Sequence, residues 1–353
     1  MGQLRKLGAM KWPLAILTSL SQVLCAVGFA QDTSEQGPAL FVHNAMWTEF
    51  RFQIYPRSSD FGTDELGRIA EEAFEEIGAI ERTVNTWVRT SEASLMNESA
   101  ATAPFKSGPV LFDLLEISVA AYGDTDGAFD VTVAPLLELY GFYNNEFRQP
   151  DSIAVTAALN RVGCDKLLLD ASTRTVTYTN PGVRVDFGGI AKGYALDRAA
   201  DVLKRYGVKS ALLSGGYSSI LAIGVPPDRD AWVVSIPDAT NPDRVIDTVE
   251  LRNEALSTSG CFRNKAGRSP DAPCDIFDPR TGLPVNGVAH ATVIGGAASQ
   301  METLSKAFLI LDRAWVETYV REHPEIRVVL LDTRSEGVSR AERIGFPEKR
   351  NER

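Results

Sequence analysis

VDFGGIAKGYALDRAADVL, residues 185–203, decides how the chain is read. A short β-rich run ends in Asp186, two glycines follow, and the apolar spacing beyond Lys192 predicts an amphipathic helix that begins near Ala191 and stops at Gly207, a natural C′ glycine. Gly188 and Gly189 lack a Cβ, so the backbone can turn sharply and a ligand can approach it closely. A helix start presents unpaired N–H groups and a partial positive charge, and Lys192 adds a full one. Together these form an anion site of the kind that takes phosphate or diphosphate. The local pattern also fits a βα turn whose glycines serve packing alone, so the choice rests on the rest of the chain.

The chain has 353 residues, 44% hydrophobic and 23% charged, which is ordinary globular composition. Its formal net charge of −10 and the lack of a basic stripe exclude a general nucleic-acid binder. Arg5, Lys6 and Lys11 precede the apolar run at 12–30, which closes on Gly28 and Ala30. That pattern predicts a signal peptide over 1–30, cleaved before Gln31, and a protein exported to the periplasm or the outer face of the inner membrane. Leu24 before Cys25 argues against a lipid anchor. Beyond residue 30 no segment reaches the roughly 20 apolar residues of a membrane helix. Export permits a disulfide, and Cys261 with Cys274 is the pair to expect.

Residues 31–40 read as a flexible segment, 41–341 as one domain and 342–353 as a charged tail. A hairpin is expected in FVHNAMWTEFRFQIY, and a long helix from Thr63 to about Trp87 carries Ile69, Ala73, Ile77, Ile80 and Val84 on one face. RTSEASLMNESA reads as a loop, 108–122 and 153–161 as helices, and KLLLD, TVTYT, SALLS, WVVSIP, VIDTVEL and EIRVVLLD as strands. Met301, Leu304, Phe308 and Leu311 mark a late helix. Helices and strands do not alternate strictly enough for a doubly wound fold, so the expected class is α+β, one interwoven domain of mixed sheets and helices.

Five blocks, in order, resemble the ApbE-like flavin transferases: SEASLMN at 91–97, GAFDVTVAPLLELYGF at 127–142, the opening stretch, ALSTSG at 255–260 and DIFDPRTGLPV at 275–285. The resemblance implies an enzyme that takes FAD, attaches its FMN half to a threonine or serine hydroxyl of a target flavoprotein through a phosphoester, and releases AMP, with magnesium as the usual metal. It implies FAD contacts at Met46, Trp87, Ala128, Phe129, Asp130, Asp186, Lys192 and Ile276. Asp186 is implied as a base or nucleotide anchor, and Lys192 as the diphosphate partner. For Trp87 and Phe129, ordinary core packing is the competing account.

The sequence departs from the family where metal and substrate are handled. The family's late helix supplies an aspartate and, four residues on, a threonine as metal ligands; Glu302 and Lys306 stand there. An ammonium has no lone pair to give a metal. The implied set is therefore Gly189 through its carbonyl, Glu302, and the neighbouring hydroxyl of Ser305. Asp275 replaces a histidine, Tyr217 an acid, and Cys261–Phe262 an acidic–aromatic pair. Two readings stay open for the site: a retained metal, or Lys306 standing in the metal's place, paired with Glu302 at i, i+4. Two readings likewise stay open for function: FMN transfer, or an FAD-binding protein or FAD hydrolase without transferase activity.

Overall fold

The computed structural model describes residues 37–56, 63–238, 244–261, 273–286, 289–332 and 341–347. The stretch expected to be a signal peptide (1–30), Phe262 and the residues beyond 347 lie outside them. In chain order, the first elements are β1 (Ala39–Ala45), β2 (Thr48–Ile54), α1 (Thr63–Val84), α2 (Glu92–Ser99), β3 (Phe105–Lys106), α3 (Pro109–Asp124), α4 (Ala134–Leu139) and α5 (Ser152–Leu159). β4 (Leu167–Asp170), β5 (Thr175–Tyr178), α6 (Ala191–Arg205), β6 (Ala211–Gly215), β7 (Ser219–Ile223), β8 (Trp232–Pro237), β9 (Val245–Leu251) and β10 (Ala255–Gly260) follow. The chain closes with β11 (Phe277–Asp278), β12 (Leu283–Pro284), β13 (Ala289–Gly295), α7 (Ala298–Ile310), α8 (Arg313–Glu322), β14 (Arg327–Asp332) and β15 (Ala341–Ile344).

An eight-stranded antiparallel sheet in the order β1-β2-β6-β7-β10-β13-β14-β15 organises the chain. The α+β expectation holds. One sheet face is covered by α1, α6 and α7 over the main core, where Phe50, Phe52 and Ile54 of β2 meet Ile69, Ala73, Phe74 and Ile77 of α1. The β8–β9 hairpin covers the other face, placing Trp232, Val234, Ile236 and Leu251 on Leu212, Ile220, Leu256 and Ile294. A smaller cluster of Leu136, Tyr140, Ala158 and Phe277 ties α4 and α5 to the β11–β12 segment.

Local chemistry explains the main departures from the sequence reading. The stretch read as a loop is α2: Ser91 caps it by accepting the Ser94 N–H at 3.1 Å, and fully buried Met96 anchors it, which outweighs its small polar residues. The segment read as flexible already pairs Ala39 with Ile54 and Leu40 with Gln53. The sheet also runs past residue 341, because β15 pairs with β14 from Ala341 to Ile344, so β14 is not the last strand. Met46 and Trp47 both have positive φ (50° and 59°) in the two-residue turn between β1 and β2, the geometry that matches hairpin twist. Among the described residues no helix is long and apolar enough to cross a membrane.

Candidate functional site

A cleft of about 550 Å³ opens beside the Gly188–Gly189 turn. Its walls come from Trp87, the 128–130 segment, the loop around Tyr143, the end of β10, the Asp275–Ile276 segment and α7. Lys192 and Glu302, 110 positions apart in sequence, meet there because α6 and α7 lie side by side on the same sheet face.

The run before the double glycine is extended but is not a strand, which corrects the β-rich reading. A side chain does what a neighbouring strand would do. Asn97 on α2 donates from Nδ2 to the Val185 carbonyl at 3.0 Å and accepts the Val185 N–H on Oδ1 at 2.8 Å. The next N–H, that of Asp186, is given to the Val131 carbonyl at 2.7 Å. With the backbone fixed on both sides, the Asp186 carboxylate is aimed into the cleft. Its Oδ2 accepts the hydroxyls of Thr86 and Tyr143, both at 3.0 Å, and its Oδ1 accepts the Gly188 N–H at 2.8 Å. Burial, then the Asp186 charge, pushes the Tyr143 phenol far up, so it stays a protonated donor.

Across the turn, Lys192 in the first turn of α6 donates to Glu302 Oε1 at 2.7 Å. Lys306, one turn along α7 from Glu302, lies 3.6 Å from the same oxygen and donates to the Glu302 carbonyl at 3.3 Å. Glu302 Oε2 accepts the Gly193 N–H at 2.5 Å. The carboxylate is 1% exposed, while the two lysines keep 23% and 20% of their side chains exposed. Burial alone would raise the Glu302 pKa. The two ammoniums and the Gly193 N–H outweigh it and hold the group at about 2. The helix start read from sequence as an open anion cradle thus already receives a carboxylate. The arrangement is reciprocal: Asp197 of α6 caps α7, accepting from Ala298 N at 2.7 Å, Ser299 N at 2.9 Å and Ser299 Oγ at 2.6 Å.

The other expected site residues divide into two groups. Trp87, 54% exposed, stands at the cleft edge with its ring 4.9 Å from that of Tyr143. Phe129 lies under the turn; a Cβ on Gly189 would come within 3.2 Å of its ring. Ala128 and Ile276 line the cleft. Asp130 also reaches it, but its carboxylate is taken up internally by Thr132 N and Oγ1 and by Cys164 N and Sγ. Burial raises its pKa against those bonds. Met46 packs on the main core at the β1–β2 turn and is not part of the cleft lining. Ser305 is fully buried and points under β10, with its Oγ 2.7 Å from Ser259 Oγ and 3.3 Å from Ser257 Oγ, so it does not join Glu302 in the cleft.

Sequence reasoning missed Thr86, Asn97 and Tyr143 as positioning groups. Asn97 lies inside a recognised block. Tyr143 falls one residue past another, with no periodic or motif signal of its own. Cys261 and Cys274 form the expected disulfide, which joins the end of β10 to the Asp275–Ile276 wall.

The cleft thus carries a fixed carboxylate on one side of a glycine turn and a lysine cluster on the other. Residues 46–330 match the ApbE family model, and the chain belongs to the ApbE family. It is 28% identical over 274 residues to a protein of Klebsiella pneumoniae (strain 342) named FAD:protein FMN transferase, covering 75% of this chain and 78% of that one. The crystal structure of the ApbE protein from Thermotoga maritima superposes with a TM-score of 0.74 at 28% identity, covering 83% of this chain and 94% of that one. The flavin transferase ApbE from Vibrio cholerae has the same fold, with a TM-score of 0.72 at 23% identity over 87% of this chain and 96% of that one.

Proposed function

We propose that this protein is an FAD:protein FMN transferase that acts after export on a periplasmic or membrane-bound target flavoprotein. Family membership and the transferase relatives support the activity. The observation that carries the reading to this chain is the fixed Asp186 carboxylate on the same glycine turn that leads into Lys192. FAD binds with its diphosphate against the lysine cluster and its flat rings toward Trp87. The acceptor threonine or serine oxygen attacks the FMN phosphorus while the P–O bond to the AMP phosphate breaks, and AMP leaves with that electron pair. Asp186 accepts the hydroxyl proton as the new bond forms.

A magnesium ion, expected from the resemblance, does not fit this donor set. Magnesium needs several oxygen ligands in tight octahedral geometry. Here Glu302 already carries two ammoniums and a backbone N–H, and Ser305 faces away. No group of three His, Cys, Asp or Glu side chains that could hold a metal occurs among the described residues.

Incubation of the purified protein with FAD and a flavoprotein carrying an acceptor threonine tests the activity: covalently fluorescent target and an equal amount of AMP are expected. Absence of transfer with every target, with and without magnesium, overturns it. The paired state of Glu302 favours one alternative, an FAD-binding protein or hydrolase. AMP and FMN released without a target mark the hydrolase, and FAD recovered intact marks the binding protein.

A further inference from the structure

We infer that the Lys192–Glu302–Lys306 cluster supplies the counter-charge for the dinucleotide diphosphate in this chain, in place of a divalent cation. The inference rests on the proposed reading that the cleft takes FAD.

Charge and space both point this way. Two ammoniums and one carboxylate leave the cluster at +1, and it sits at the positive end of α6. A divalent cation at Glu302 would be set against both ammoniums, one 2.7 Å and one 3.6 Å from the oxygen it would need. The space is taken as well. The methylene stem of Lys306 lies over the glycine turn, so that a Cβ on Gly189 would meet Lys306 Cδ at 3.3 Å and Cε at 3.5 Å. A lysine chain therefore fills the gap between the Gly189 backbone and the Glu302 carboxylate.

The same contacts make the cluster a good anion partner. Glu302 is buried and the lysines are not fully so; the carboxylate holds two cations whose side chains both line the cleft. Pinning reduces the side-chain entropy that a lysine loses when it binds an anion. As the P–O bond to AMP breaks, negative charge grows on the departing phosphate, and a cation already in place stabilises it without reorganising.

Calorimetric titration of FAD into the purified protein, in EDTA and then in magnesium, tests the inference, with Lys306→Met and Lys306→Arg beside the wild type and thermal unfolding as a folding check. The wild type is expected to bind FAD with the same affinity in both buffers. Lys306→Met is expected to bind about tenfold more weakly in EDTA, the loss of one charge-assisted contact, and Lys306→Arg to retain most of the affinity. Wild-type binding that requires magnesium overturns the inference and leaves the FAD reading standing, as does undiminished binding by folded Lys306→Met. If Lys306→Met does not fold, the wild-type comparison and Lys306→Arg decide alone. No binding of FAD in either buffer overturns the functional reading and the inference together.

Discussion

Glu302 of α7 accepts the Gly193 N–H of α6 at 2.5 Å, so the carboxylate at the floor of the cleft also satisfies a free N–H in the first turn of a helix whose N-cap, Ile190, has no side-chain bond to give. Under the proposed function, stability and ligand binding therefore depend on the same side chain. Asp197 makes the reverse contact to the start of α7, and the two helices are locked at both ends of their crossing.

Replacing Glu302 by Gln keeps the shape and removes the charge beneath two lysines. Breaking a buried ion pair this way costs about 3 kcal/mol, at the low end of the usual range because both ammoniums reach the cleft and remain partly hydrated. The pH dependence has a definite sign. The folded pKa is depressed to about 2 from a reference of 4.5, so the contribution is complete above about pH 4.5 and is lost as pH falls toward 2. The difference in urea unfolding free energy between wild type and Glu302→Gln should be flat above pH 5 and shrink steadily below it. A difference that grows on acidification would contradict the assigned pairing.

Gly193 is required by the same crossing. A Cβ there would stand 2.4 Å from the Ala298 carbonyl oxygen and 2.8 Å from Ser299 Cα, backbone atoms that cannot move aside without separating the helices. Gly193→Ala should cost about 3 kcal/mol or more, the upper end for overpacking. Gly123, in the last turn of α3 with nothing within 4 Å of a built Cβ, is the control: Gly123→Ala should be neutral or stabilise by up to about 1 kcal/mol. Thermal denaturation of the two variants separates packing from helix propensity.

Much of this was legible in the sequence where a single element carried the signal. The apolar stripes of α1, α6 and α7 and the β1–β2 hairpin were readable from periodicity. What was not legible depended on side chains that replace backbone. Asn97 supplies the bonds of a missing strand beside Val185, and Ser91 starts a helix in a stretch of poor helix formers. The Asn97 bonds join partners 88 residues apart, which composition cannot report, whereas the Ser91 cap is a local bond to Ser94 that small polar composition masks. The site was legible in part for the same reason: the i, i+4 spacing of Glu302 and Lys306 was visible, whereas the arrival of Lys192 and the Gly193 N–H at that carboxylate required the helix crossing. Ser305 shows the converse. It was beside the right positions in sequence, but helix geometry turns it one residue around, onto β10.

Reduction of Cys261–Cys274 should act on both stability and the site. The bridge closes a loop with a sequence separation of 13, for which loss of the crosslink costs about 3 kcal/mol on loop-closure grounds. It also ties the Asp275–Ile276 wall to β10 at Gly260. The Cys261→Ser/Cys274→Ser variant should melt lower than wild type and bind FAD more weakly. Unchanged affinity in a destabilised variant would show that the wall holds its position without the bridge.

Asp186 is the strongest test of the chemistry, because its geometry predicts separate effects on binding and turnover. In Asp186→Asn the amide oxygen can keep the Gly188 N–H bond while the Thr86 and Tyr143 hydroxyls turn to accept from its NH2, so the shape of the turn is kept and the capacity to accept a proton is lost. FMN transfer to an acceptor protein should fall by about 10²–10⁴, the range for a lost general base, with FAD affinity changed only a few fold. Tyr143→Phe removes one of the three bonds and leaves the carboxylate in place, so its loss should be smaller, on the order of tenfold. If Asp186→Asn instead abolishes FAD binding while Tyr143→Phe leaves transfer untouched, Asp186 is an anchor for the nucleotide, and the proton must leave the acceptor hydroxyl by another route.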